Sequence, residues 1–460
     1  MIPGGIGGGL DLGSLINGLS GSAEDCLFVD VFVPGKALKS GAKLPVVNWI
    51  YGGAYVLGEK SGMYGGTPIV KAANGNLIYV SGNYRLGVLG FLAGTTMEKE
   101  GAPNAGLWDQ RLLMEWIQKY IGLFGGDANE VSVWGESAGA GSIIHHLTAF
   151  GGKNGPALFK RAIIMSPAYD QQLDRKGQLE KGYQDIARRA GCGGKNVDCL
   201  RKVSLTTVMK AASDWTGTVP GDKPGFGPAA DGVFVRQIPS LEFAAGNFAK
   251  NVESVILSHT ANEGLMFVPR TVTPTSFSDT IKFYWGASPK TVAAIEAQFP
   301  LSKFKDEKDR FRLLYQWSTF ACSARYGAEA YKGKAYNMQY SVGTGLHGSD
   351  LNALFNQGGL ASLFNPSLAA LSPKYRNYFV SHALTKGDPN KLKSLATPSW
   401  PLVTIAPSLS GVLNVTDTDF KLIEDPEITA ADCGFWTKVL GEATKELGYS
   451  PSSSASQVHS

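Results

Sequence analysis

The chain has 460 residues, 43% of them hydrophobic and 10% aromatic, enough for one large α/β unit or for two or three smaller domains around sizeable cores. Its net charge of +4 comes from 43 basic and 39 acidic residues with no basic stripe, which argues against a nucleic-acid partner. No run approaches the roughly 18 apolar residues of a membrane-spanning helix, and no cluster of ligating residues predicts a metal or other cofactor.

The first 22 residues are Gly-rich, with Leu10, Leu12, Leu15, Ile16 and Leu19 scattered among them. They read as an apolar flap or a flexible lead-in. "IPGGIGGGLDLG" lacks the basic and continuous apolar regions of a secretion signal. "GGIGGG" is also a poor phosphate cradle, since no strand precedes it and no lysine follows. Next, "CLFVDVFVP" (26–34), "LPVVNWIYGG" (44–53) and "NLIYVSGNYR" (76–85) read as buried strands. Over 106–126, Leu107, Leu113, Trp116, Ile117, Tyr120 and Ile121 recur at helical spacing and the run stops at a Gly pair. "EVSVWGESAG", "FKRAIIMSP" (159–167) and "VESVILSHTANEG" (252–264) supply three more strands. Apolar strands alternating with helices predict a mostly parallel sheet covered on both faces, with its active site at the carboxyl ends of the strands. Residues 171–250 and 270–335 look helical and irregular, as insertions capping the sheet would, and 446–460 read as a disordered tail.

Gly135-Glu136-Ser137-Ala138-Gly139 stands where a strand becomes a helix. Such a turn forces its central residue into a strained conformation, and small neighbours let the two backbones pass closely. The helix N-terminus then faces the space above Ser137, where an oxyanion would form. A serine presented in this way is a candidate nucleophile. It needs a histidine as base and an acid to orient that histidine. Of six histidines, His145 and His146 follow the elbow on its helix, His382 lies in a helical stretch and His459 in the tail. His259 and His347 are left. His259 follows a strand and suits a packing or supporting place, whereas His347 lies in the Gly-bracketed "VGTGLHGSDL", which suits a mobile base. Glu263 in "TANEG" follows a strand directly, and the order Ser, Glu, His is that of α/β-hydrolases. Cys192 and Cys199 enclose "CGGKNVDC", a short loop that a disulfide could close, which implies an oxidising compartment. Asn414-Val415-Thr416 is one glycosylation sequon.

These residues resemble the type-B carboxylesterase and lipase family, particularly its fungal secreted members. The resemblance rests on "EDCLFVDVFVP" and "FGGDANEVSVWGESAG", with "NWIYGGAYVLG", "NYRLGVLGFL", "NAGLWDQRLLMEWI", "TANEG", "GLHGSDL" and "GDPN" in the family's order, from about residue 22 to 440. It implies a single α/β-hydrolase domain over 23–445 and a triad of Ser137, Glu263 and His347. It also implies an oxyanion hole from the backbone N–H groups of Gly53, Ala54 and Ala138, with Ala54 where many relatives carry glycine. By the same resemblance Ser166 supports the acid, Arg85 and Asp109 form a buried ion pair, and Cys192–Cys199 and Cys322–Cys433 are disulfides. Cys26 matches a cysteine whose partner lies upstream, in an N-terminal edge that this sequence lacks. The first 22 residues then stand as the remnant of the flap.

The expected activity is hydrolysis of lipophilic or acyl esters outside the cell, with a possible lipid-interface contact through the flap and no other partner. Activity is expected to fall as pH drops through roughly 6 to 7, near the ordinary histidine pKa. The rival expectation is a non-catalytic member of the fold, left inactive by the missing edge.

Overall fold

Runs of buried β-branched and aromatic residues line up as the middle of one sheet. The computed structural model describes residues 23–447 apart from 154, 171, 287 and 359–364. The Gly-rich segment 1–22 and the tail from 448, with His459, lie outside the described residues.

Among the described residues the sheet has ten strands: β1 Val29–Phe32, β2 Leu44–Ile50, β3 Ile78–Gly82, β4 Gly126–Glu136, β5 Arg161–Met165, β6 Ser254–Thr260, β7 Ala335–Tyr340, β8 Thr404–Ile405, β9 Ser408–Val415 and β10 Phe420–Thr429. Their order is β1-β3-β2-β4-β5-β6-β7-β9-β10, with β8 beside β9. From β3 to β9 every neighbouring pair is parallel; β1, β8 and β10 run antiparallel to their neighbours. This is the α/β-hydrolase architecture, and the strands with apolar centres sit where both sheet faces are covered: every residue of β3, β5 and β6 is buried.

The helix predicted over 106–126 spans Ala105–Tyr120, and a 3-10 turn, Ile121–Phe124, completes it. Gly125 then takes φ 80° and Gly126 already begins β4, so the Gly pair is the reversal itself. Helices Gln178–Arg189, Val197–Lys202, Leu205–Thr216 and Pro239–Ala244 lie between β5 and β6. Between β6 and β7 come Ser276–Trp285, Pro289–Gln298, Glu307–Tyr315 and Cys322–Ala330. Strands β7 to β10 have no counterpart in the sequence reading. The Cys192–Cys199 and Cys322–Cys433 disulfides are formed, the second tying the helix before β7 to the C-terminal helix Ala430–Glu446. Cys26 has no disulfide partner among the described residues.

Candidate active site

β4 ends at Glu136 and the helix Ala138–Thr148 begins two residues later, so Ser137 alone makes the turn, at φ 55° and ψ −126°. The flanking glycines are required by distance. A Cβ on Gly139 would stand 2.0 Å from the Ile50 carbonyl oxygen, and one on Gly135 2.7 Å from the Gly139 backbone. The strained turn is fixed from both sides: the Ser137 N–H donates to the Met165 carbonyl at 2.9 Å, and its own carbonyl accepts from the Gly141 and Ala168 N–H groups. Strain of this kind persists only where the surroundings over-determine it.

The other two triad candidates arrive from loops that are stitched together. Glu263 follows β6 and is fully buried, its Oε1 accepting from the Thr260 N–H at 2.6 Å. His347 lies among Gly343, Gly345 and Gly348, all at positive φ, and the Asn262 N–H donates to the Gly345 carbonyl at 2.8 Å. The result brings the three residues together: His347 Nδ1 stands 2.5 Å from Glu263 Oε2, and Nε2 stands 2.8 Å from Ser137 Oγ. With Nδ1–H donating to the carboxylate, Nε2 is free to accept from the serine hydroxyl. Phe267 and Phe320 hold the imidazole with ring centroids at 5.1 and 4.7 Å. Phe267 also lies under the Lys223 ammonium, which pairs with Asp170 at 3.6 Å, so the wall beyond it is not wholly apolar.

Two carboxylates that the sequence reading left without a role complete the electrostatics. Glu136 is buried with Oε1 3.4 Å from His347 Nε2, and Asp350, three residues after the histidine, is buried with neither oxygen making a hydrogen bond of ordinary geometry. Burial works to lower the His347 pKa, but Glu136, Glu263 and Asp350 outweigh it and raise it to about 9. Burial pushes Glu136 up to about 8 and Asp350 up to about 7. Burial acts the same way on Glu263, yet His347, Ser166 and the Thr260 N–H more than offset it, and this carboxyl is held below its ordinary range. One carboxylate stays charged while its neighbours retain protons more readily, the separation expected of groups with different tasks. The only sequence signals were Glu136's place inside the elbow pentapeptide and the spacing from His347 to Asp350.

The glycine-rich loop lies against the elbow. A Cβ on Gly52 would fall 2.8 Å from Ser137 Cβ and 2.7 Å from the Glu136 carbonyl oxygen. Gly53 and Ala54 both take positive φ, 115° and 53°, and among the described residues the N–H groups of Gly53, Ala54 and Ala138 donate to no other backbone group. Three donors free of backbone partners beside a strained serine match the needs of an oxyanion site. Ser166 is buried beside Glu263; its hydroxyl dipole lowers the carboxyl but makes no hydrogen bond of ordinary geometry. Asp109 receives three bonds from Arg85, though the pair is only half-buried, with the arginine side chain 39% exposed.

The remaining described histidines are buried away from Ser137. Burial pushes His145, His146 and His382 down to about 3, so they stay neutral. His259 instead faces Asp425. Asn414 of the sequon lies in β9, where its Oδ1 accepts from the Ser341 hydroxyl at 2.8 Å. Among the described residues no group of three or more His, Cys, Asp or Glu could hold a metal ion, and no helix is long and apolar enough to cross a membrane.

The profile of the carboxylesterase family matches residues 10–436. A secreted lipase of Arthroderma benhamiae is 41% identical over 442 residues, covering 93% of this chain and 85% of the relative. Carboxylesterase patB of Penicillium expansum is 32% identical, covering 91% of this chain and 75% of its own length. The crystal structure of Aspergillus niger EstA superposes with a TM-score of 0.79 at 28% identity, covering 95% of this chain and 87% of that one.

Proposed function

This chain belongs to the carboxylesterase family, and on that premise we propose that it hydrolyses carboxylic esters through an acyl-enzyme on Ser137. The observation that carries the reading is the unbroken contact from Glu263 through His347 to the Ser137 hydroxyl, 2.5 and then 2.8 Å. Ser137 Oγ attacks the ester carbonyl while its proton passes to His347 Nε2, and Glu263 stabilises the imidazolium so formed. The N–H groups of Gly53, Ala54 and Ala138 receive the oxyanion, and each such donor is typically worth about 2.7 to 4 kcal/mol in the transition state. The imidazolium then protonates the leaving alcohol. Water, deprotonated by the same Nε2, releases the acid and restores Ser137.

The Phe267 and Phe320 faces against His347, and relatives named as lipases and carboxylesterases, support lipophilic acyl esters as the substrate class. Two disulfides and relatives named as secreted support an extracellular setting. The test is hydrolysis of p-nitrophenyl esters from acetate to palmitate by the chain and by its Ser137→Ala variant. Activity that disappears with the hydroxyl is the expected result, and its chain-length optimum distinguishes a lipase from a short-chain esterase. A folded chain without activity on any ester of the series would overturn the reading in favour of a non-catalytic member.

A further inference from the structure

A second histidine–carboxylate pair lies behind the acid. His259, on β6, and Asp425, on β10, are both fully buried in their side chains, with Nε2 2.9 Å from Asp425 Oδ2. The other ring nitrogen, Nδ1, stands 3.1 Å from the Thr260 carbonyl oxygen. Neither partner can donate, because a carbonyl and a carboxylate only accept. With Asp425 held ionised below the ordinary aspartate range, both ring nitrogens carry protons, and the ring is an imidazolium. Its electrostatics agree: burial opposes the charge, but Asp425 outweighs it and raises the pKa to about 9.

The contact with Thr260 links this cation to the reacting groups. The Thr260 carbonyl is held by His259, while the Thr260 N–H holds Glu263 Oε1 at 2.6 Å. Gln316 fixes the next carbonyl, that of Ala261, at 3.3 Å and also donates to Glu427 Oε2 at 2.7 Å. The Glu427 N–H in turn donates to Asp425 Oδ1 at 2.9 Å. The charged groups acting on His259 are thus Asp425, Glu427 and Glu263, with Arg325 acting on Asp425 and Arg312 on Glu427 from further out. Glu136, Glu263 and Asp350 crowd three buried carboxyl groups around His347, whereas His259, joined to Glu263 through Thr260, feels the Glu263 charge and as a cation offsets part of it.

We propose that His259, held as an imidazolium by Asp425 and the Thr260 carbonyl, is a positioning residue that fixes the turn carrying Glu263 and keeps its carboxylate charged. The role rests on the reading of Glu263 as the acid of the triad. It goes beyond that reading by assigning the charge state of the acid to a residue that touches neither substrate nor Ser137.

The test is the pH dependence of kcat/KM, from about pH 5 to about 11, for p-nitrophenyl butyrate and the full chain, corrected for hydrolysis of the ester without enzyme. His259→Gln keeps a donor towards Asp425 but removes the charge; Asp425→Asn removes the partner that holds the charge. In both variants, checked for folding by near-ultraviolet circular dichroism, kcat/KM falls about tenfold to a hundredfold, and the acidic limb moves up by about one pH unit as His347 becomes more basic beside a less balanced Glu263. A folded His259→Gln enzyme with the wild-type rate and limb overturns the proposal, and so does a reduced rate with an unmoved limb, which marks a purely structural role. Hydrolysis that survives Ser137→Ala would instead overturn the reading of the site, so the two failures are distinguishable.

Discussion

Two buried histidines in this fold face a carboxylate at nearly the same distance, His347 to Glu263 at 2.5 Å and His259 to Asp425 at 2.9 Å, yet only one is placed to move a proton. The difference lies at the other nitrogen. In His347 it meets the Ser137 hydroxyl, which can give up a proton; in His259 it meets the Thr260 carbonyl, which has none to give. The backbones differ in the same sense. His347 sits in a loop with glycines at 343, 345 and 348, all at positive φ, whereas His259 lies in β6, paired with Gln339 of β7. A carboxylate partner therefore does not make a histidine a base; the group across the ring does.

The largest break in that comparison comes from the reacting side. Ser137→Ala or His347→Ala should lower kcat on the order of 10⁴-fold or more, and the double variant should cost little beyond either single change, because the residues act as a unit. Measured additivity of the two losses would count against a shared mechanism. Glu263→Gln comes next, with a loss of about 10³ to 10⁴ expected from the wrong tautomer of His347. The corresponding change behind it, Asp425→Asn, should cost far less, since His259 transfers no proton. Equal losses in the two variants would erase the distinction drawn here.

A smaller effect sharpens the comparison through its sign. The proposed hydrolysis needs neutral His347, so activity should be lost as pH falls through its pKa, which Glu136 and Glu263 hold above the ordinary 6.5. The acidic limb should therefore stand higher than the roughly 6 to 7 expected from an unperturbed histidine. Glu136→Gln removes the first of those raising charges, 3.4 Å from Nε2, and should move the limb down by about one pH unit. His259→Gln should move it up. A pH profile in which both variants move the limb the same way would contradict the assignment of charges around His347.

How much of this was legible in the sequence follows from where each group sits. The elbow was readable because a strand, a small-residue pentapeptide and a helix are contiguous, and Glu263 because it closely follows a strand with the apolar centre Val255-Ile256-Leu257. His347 could be separated from His259 only by the glycines around it. Asp425 was out of reach for a structural reason. β10 carries Lys421, Glu424, Asp425 and Glu427, and its partner β9 contains Gly411 and Asn414, so neither shows the apolar run of a buried strand. Its ladder also breaks: Glu424 pairs with Ser410 and Thr429 with Ser408, leaving residues 425–428 opposite Leu409 alone. That irregularity takes Asp425 out of the ladder, and its side chain meets His259 on β6, although β7 and β9 separate the two strands in the sheet. No local pattern encodes such a contact. Glu136 and Asp350 were hidden differently, since each stood in a quoted motif whose chemistry was already assigned to a neighbour.

The smallest expected effect is on stability, and it separates charge from hydrogen bonding in the second pair. The folded-state pKa of His259, about 9, lies above its unfolded value near 6.5. The folded protein thus binds this proton more tightly, and the stabilisation is complete below pH 6.5 and is lost as pH rises through about 9. Asp425 is shifted the other way, because His259 outweighs the burial that would raise it, so its share is lost only in strong acid, below the ordinary aspartate range. The midpoint of thermal unfolding for the chain should exceed that of His259→Gln by a margin that is constant from the ordinary aspartate range up to about pH 6.5 and narrows steadily as pH rises from there to about 9. A margin that stays the same on both sides of pH 9 would mean that the pair acts as an uncharged hydrogen bond. His259 could then fix the turn at Thr260 but could not supply the charge that balances Glu263.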